Sequence, residues 1–185
     1  MRIALIGFMG SGKTTVGRRL SEMLEYSFID LDEEIEKAAH ASPAELFKLY
    51  GEGTFRSIES KVLEQLGAAD ADFVLACGGG VVEQARNREV LRKHFLTVWL
   101  DVPFGEVARR LSGESGRRPL WTESDGKAAQ PISSHSSLEN KNEVLYNRRQ
   151  ALYAECADLV YRCEEPEGHD ASALHVYELI EQRGG

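Results

Sequence analysis

Gly7-Phe8-Met9-Gly10-Ser11-Gly12-Lys13-Thr14 fits the pattern G-x-x-x-x-G-K-[ST] at every position. It lies where that pattern has a mechanism. The apolar run Ile3 to Ile6, read as a buried strand, leads directly into it, and Thr14 to Glu25, read as a helix, follows. Glycines at this spacing let the backbone curl until successive N–H groups point inward. The N-terminus of a helix beginning near Lys13 adds its partial positive charge. The result is a cradle for phosphate groups, with Lys13 able to reach the β- and γ-phosphates and the Thr14 hydroxyl able to coordinate Mg²⁺. The loop implies nucleotide binding but does not identify an acceptor.

Outward from the loop, strand and helix signals alternate. Tyr26 to Ile29 reads as a second strand ending at Asp30-Leu31-Asp32, and Phe73 to Ala76 as a third, closed by Cys77 and Gly78-Gly79-Gly80. Leu96 to Leu100 is the strongest strand signal, and Leu159 to Tyr161 is a short fifth. In the helix after the loop, Val16, Leu20, Met23 and Leu24 share one face. Ser42-Pro43-Ala44-Glu45 has a capping serine, proline in the first turn and glutamate three residues after the cap, so it reads as a helix start. Phe55, Ile58, Val62 and Leu66 form another helical stripe. Further helices are expected over about Gln84 to Lys93, from Pro103 to about Leu111, over Leu138 to Glu155 and over Ser172 to Gln182. The alternation predicts an α/β sandwich of three layers, a mostly parallel five-stranded sheet flanked by helices, in one domain over 1–185.

Composition narrows the class of partner. A chain of 185 residues with 42% hydrophobic and 28% charged residues is an ordinary globular protein. No apolar run approaches the roughly 20 residues that span a bilayer. Met1 to Ile6 is too short an apolar stretch for a secretory leader and runs into the glycine loop, so a cytoplasmic protein without a membrane partner is expected. A net charge of −8 argues against nucleic acid as a partner. It leaves room for a small acidic ligand, because a few arginines in a cleft set the local field. Cys77, Cys156 and Cys163 are odd in number and lack ligand spacing, against both a disulfide framework and a zinc site.

Several features fall on the carboxyl edge of the predicted sheet, where ligands bind in open parallel sheets. Asp30 and Asp32 end the second strand, and strand geometry persisting through Leu31 would send both carboxylates the same way. They read equally as a capping pair before Glu33-Glu34-Ile35. Gly78-Gly79-Gly80 suits close approach to bare backbone or positive φ, or is an ordinary turn. Arg56 stands beside Phe55 with Glu59 one turn on, Arg118 precedes Pro119, and Arg149 follows Arg148. Each guanidinium suits bidentate capture of carboxylate or phosphate. Residues 112–137 are rich in Ser and Gly, either a lid over the site or a surface insertion.

In order and spacing, Gly7 to Thr15, Asp30-x-Asp32, Phe55-Arg56-x-x-Glu59, the glycine triplet, Arg118-Pro119-Leu120, and Arg149 followed by Leu152-Tyr153 resemble the shikimate kinases, from about residue 2 to 161. The resemblance implies a P-loop NTPase fold with the loop-bearing strand central, and transfer of a phosphoryl group from ATP, with Mg²⁺, to shikimate. By position it assigns Gly10, Ser11, Gly12, Lys13, Thr14, Thr15, Arg110 and Arg118 to the nucleotide, with Arg110 packed on adenine. It assigns Asp32, Arg56, Gly79, Gly80 and Arg149 to shikimate, with both of those arginines on the carboxylate and Asp32 on ring hydroxyls. Lys13 and Arg118 would stabilise the migrating phosphoryl group, Thr14 would bind Mg²⁺ directly, and Asp30 would do so through water. A monomer is expected.

Two departures stand out. The stretch from Arg118 to Arg149 is longer than in compact members of the family, and Cys163-Glu164-Glu165-Pro166 stands where the family often has an arginine near the adenine. Three other readings compete. A gluconate-type kinase on the same fold is the nearest. A nucleoside monophosphate kinase would need phosphate and base contacts for its acceptor that no motif supplies. A nucleotide-binding regulatory module without chemistry is disfavoured by the presence of Lys13, Thr14, Asp30, Asp32 and Arg118.

Overall fold

Ile3, Ala4, Leu5 and Ile6 have no exposed surface, and the strand they form, β1 (Arg2–Ile6), is the middle of a five-stranded sheet. The structure is a computed structural model that describes residues 1–113, 135–163 and 168–184. The other strands are β2 (Ser27–Asp30), β3 (Phe73–Ala76), β4 (Leu96–Asp101) and β5 (Leu159–Arg162), in the order β2-β3-β1-β4-β5. All four pairings are parallel, so the sheet is wholly rather than mostly parallel. Parallel strands buried on both faces read as continuous apolar runs, which is why β1 and β3 were legible without alternation.

The connections are helical. They comprise α1 (Lys13–Leu24), α2 (Leu31–Ala39), α3 (Pro43–Ala68), α4 (Ala85–His94), α5 (Phe104–Gly113), α6 (His135–Cys156) and α7 (His169–Gly184). Chain order runs leftward only from β1 to β2, so right-handed crossovers place α1 on one face and the later connections on the other. The packing agrees: α1 meets α7, while α3 meets α4 and α4 meets α6. Among the described residues no helix is long and apolar enough to cross a membrane.

Three expectations change here. Strand geometry does not persist through Leu31, because Asp30 caps α2 by accepting from the Asp32 N–H at 3.1 Å. The helix start at Ser42 and the stripe from Phe55 belong to one helix kinked at Gly51, where φ is 77° and ψ 169°. Its start is the expected capping box, with the Ser42 N–H donating to Glu45 Oε2 at 2.9 Å and the Glu45 N–H to Ser42 Oγ at 3.3 Å. Met23 is exposed, because the buried face of α1 runs through Lys13, Val16, Gly17, Leu20 and Ser21 and Met23 falls at its margin. Arg118, most of the 112–137 segment and Glu164-Glu165-Pro166 lie outside the described residues.

The parallel sheet aligns the carboxyl ends of β1, β2 and β3, and the loops leaving them are the P-loop, the Asp30 turn and the glycine triplet. Leu5 lies wholly buried two residues before the P-loop. Leu5→Ala removes buried methyl groups and leaves a cavity, so urea denaturation is expected to report a loss of about 2–5 kcal/mol. Leu49→Ala, at a side chain 66% exposed, is expected to change stability by less than about 0.5 kcal/mol. Equal losses would show that β1 does not carry the core.

Candidate active site

The P-loop ends at Gly12, whose φ of 93° lies in the left-handed region and turns the chain into α1. Lys13, 8% exposed, folds back over the loop, and its Nζ donates to the carbonyls of Gly7 at 2.9 Å and Phe8 at 2.7 Å and to Ser11 Oγ at 3.3 Å. Ser11 is buried, and its N–H donates to the Phe8 carbonyl at 3.2 Å, so it closes the loop from beneath. Gly10, Gly12, Lys13, Thr14 and Thr15 line the cleft above.

That cleft has a volume of about 1350 Å³. Single-ligand pockets run to about 300–1,000 Å³, so there is room for a nucleotide and a second molecule together. The glycine triplet forms its floor. A Cβ at Gly78 would lie 3.2 Å from Asp32 Oδ1, one at Gly79 would lie 3.1 Å from the Met9 backbone nitrogen, and one at Gly80 would lie 2.9 Å from Arg56 Cζ. Three glycines thus admit three neighbours: a carboxylate, the P-loop backbone and a guanidinium. None of the three has positive φ, so close approach rather than an unusual dihedral explains them. From below, the Tyr153 hydroxyl donates to the Gly79 carbonyl at 2.6 Å.

Among the described residues, each site arginine is held by at least one carboxylate. Arg56 Nη1 donates to both oxygens of Glu59 at 3.0 Å, and its Nε reaches Glu52 at 3.4 Å. Glu59 is 1% exposed and also accepts from Asn87 Nδ2 at 3.3 Å. Burial pushes the Glu59 carboxyl above its ordinary range against the pull of Arg56. Arg149, on α6, packs its guanidinium 5.8 Å from the centre of the Phe8 ring and donates from Nε to Glu83 at 2.8 Å. Arg110 donates from Nε to Glu106 at 2.6 Å and from Nη1 to the Ser11 carbonyl at 3.4 Å. Hydrogen bonds from Arg109, and from Arg110 against some desolvation, bring the Glu106 carboxyl down to about 2.

Thr14 Oγ1 donates to Asp30 Oδ2 at 3.1 Å. The pair offers two hard oxygens at the mouth of the phosphate cradle, a fit for Mg²⁺, which takes one or two protein oxygens and completes its shell with phosphate and water. Cys77 follows β3 beside this site, and burial pushes its thiol above the ordinary range, away from the thiolate form.

Arg118 lies outside the described residues; every other proposed site residue except the loop-closing Ser11 lines one cleft. Two residues were missed. His169, at the start of α7, lies over the P-loop so closely that a Cβ at Gly12 would be 2.9 Å from its Cδ2, next to Arg110. Glu83 joins the site from the turn after the triplet. Neither carries a local motif, and both are brought in by the fold.

A Cβ at Gly80 would displace the Arg56 guanidinium, the end of a flexible side chain, and so pull it from the buried Glu59 carboxylate that holds it. Gly80→Ala is expected to lose about 1–3 kcal/mol in thermal unfolding, as overpacked sites do. Gly53→Ala, in the same helix as Arg56 and with nothing within 4 Å of its added Cβ, is expected to gain up to about 1 kcal/mol from helix propensity. A neutral Gly80→Ala would contradict the packing described.

A family model described as "Shikimate kinase" matches residues 9–181. The chain is 38% identical over 176 residues to a shikimate kinase of Synechococcus elongatus, covering 95% of this chain and 84% of that protein. It is 40% identical over 180 residues to a shikimate kinase of Nostoc punctiforme, covering 97% and 91%. It is also similar to the solved structure of a shikimate kinase from Acinetobacter baumannii in complex with shikimate, with a TM-score of 0.83, 34% identity, and 98% and 93% of the two chains covered. A phosphate cradle, a carboxylate and paired arginines around one glycine floor, with similarity over nearly the whole chain, place this protein in the shikimate kinase family.

Proposed function

We propose that the chain, acting as one domain, transfers the γ-phosphoryl group of ATP to a ring hydroxyl of shikimate, giving shikimate 3-phosphate and ADP. The observation that carries this reading is the glycine floor, where Asp32, the P-loop backbone and Arg56 stand over three consecutive residues. A substrate lying on that floor meets an acceptor for its hydroxyls at one end and guanidinium at the other, with the phosphate cradle alongside.

In this reading the N–H groups of Gly10 to Thr15 receive the nucleotide phosphates, and Arg110 lies against the base. Lys13 exchanges the carbonyls of its own loop for the β- and γ-phosphates, a swap of neutral for charge-assisted hydrogen bonds. Arg56 and Arg149 hold the shikimate carboxylate over Gly79 and Gly80. Asp32 accepts a hydrogen bond from the attacking hydroxyl and takes its proton as the new O–P bond forms. The bond from the γ-phosphorus to ADP breaks, and its electron pair leaves with ADP. Lys13 and, on the strength of its motif, Arg118 meet the charge spread over the migrating group. Thr14 would hold Mg²⁺ directly and Asp30 through water; the ion, when bound, neutralises charge on the β- and γ-phosphates.

Phosphoryl transfer rests mainly on positioning and charge stabilisation, so Lys13→Ala is expected to reduce turnover at least about a hundredfold. Near-normal turnover would remove Lys13 from the reaction. Taking one partner from a desolvated charge pair costs about 2–5 kcal/mol. Arg149→Ala should therefore weaken shikimate binding roughly thirtyfold or more in calorimetric titration, with ATP binding unchanged. Asp32→Asn keeps the size and loses the base, so it should lower turnover more than affinity. Parent-like shikimate binding by Arg149→Ala would move the carboxylate anchor elsewhere.

A further inference from the structure

Glu83 ends the short 3₁₀ turn Val81–Glu83, which begins directly after the glycine triplet. One of its oxygens, Oε1, accepts from Arg148 Nη2 at 2.6 Å and from Arg149 Nε at 2.8 Å. A single carboxylate oxygen thus gathers two guanidiniums that would otherwise repel each other. Both arginines come from α6, the first helix after residues 114–134, and the carboxylate comes from the cleft floor. The contact therefore ties the helix carrying the carboxylate anchor to the surface on which the substrate lies.

We infer that Glu83 is a positioning residue, setting the plane of Arg149 so that the rest of its guanidinium meets the substrate carboxylate across the glycine floor. Arginine carries five N–H donors in one rigid fork, so fixing Nε fixes the direction of the other four. The environment suits this role. Arg149 is 7% exposed at its side chain and Glu83 19%, whereas Arg148 is 62% exposed. The pair with Arg149 is thus shielded enough to hold an orientation, while Arg148 adds charge from the solvent side. The Phe8 ring confines one face of the same guanidinium, so packing and a charged hydrogen bond act together on one side chain. Burial would raise the Glu83 carboxyl, but hydrogen bonds from Arg149 and Arg148 outweigh it and hold it below the ordinary range, so Glu83 is ionised at neutral pH.

The inference rests on the reading of Arg149 as the carboxylate anchor, and a cycle of variants separates the two. Glu83→Ala is expected to raise the KM for shikimate about tenfold to a hundredfold, the value of a charge-assisted hydrogen bond, with kcat and the KM for ATP unchanged. Glu83→Gln, which keeps an acceptor oxygen, should raise it less. In an Arg149→Ala background, adding Glu83→Ala should change nothing further, because Glu83 acts through Arg149. Removing a negative charge would by itself favour an anion. A fall in KM would therefore mean that Glu83 competes with the substrate, and an unchanged KM that it does nothing; either overturns the inference while leaving Arg149 in place. A Glu83→Ala protein that melts early and loses kcat with every substrate shows a structural role and overturns it too. If Arg149→Ala itself binds shikimate normally, the anchor reading falls and this inference falls with it.

Discussion

A cleft that binds anions needs cations, and cations removed from water need partners. That constraint orders the whole site. Lys13 is held by the carbonyls of its own loop, Arg56 by Glu59 and Glu52, Arg110 by Glu106, and Arg149 by Glu83. Each partner either is neutral or leaves part of the cation's donor set directed elsewhere. The cleft lining balances its cations with carboxylates, so anion capture depends on where individual guanidinium and ammonium donors are directed rather than on an excess of positive charge.

The fold makes these pairings geometrically possible. A wholly parallel sheet with β1 at its centre brings the P-loop, the Asp30 turn and the glycine triplet to one edge. The triplet then does what no other three residues could. It lets Asp32, the P-loop backbone and Arg56 approach the same stretch of main chain. Tyr153 pins the middle glycine through its carbonyl, and Phe8 of the P-loop packs against Arg149. The nucleotide side and the acid side of the cleft therefore share a wall.

What the sequence revealed follows the range of the interactions involved. The P-loop was legible because its glycines, lysine and threonine act within eight consecutive residues, and the capping box at Ser42 for the same reason. The pairing of Arg56 with Glu59 was legible because residues three apart share a helix face. Asp30 caps α2 through one oxygen, as one of its two readings expected, and accepts from Thr14 through the other, a contact no local pattern announced. Glu83 was not legible, because it meets Arg149 across 66 residues and belongs to no local pattern. His169 was hidden likewise, since only the packing of α7 on α1 brings it over the P-loop. Met23 misled because the apolar stripe is offset from the face that is buried, which also takes in Gly17 and Ser21.

The central claim is that this cleft selects a rigid cyclic acid with hydroxyls opposite its carboxylate. The most direct measurement is ADP formation from ATP and Mg²⁺ with matched concentrations of shikimate and of gluconate, a flexible polyhydroxy acid. One ADP is expected for each shikimate consumed, with gluconate no better than the background without acceptor. Turnover on gluconate equal to or above that on shikimate would contradict it.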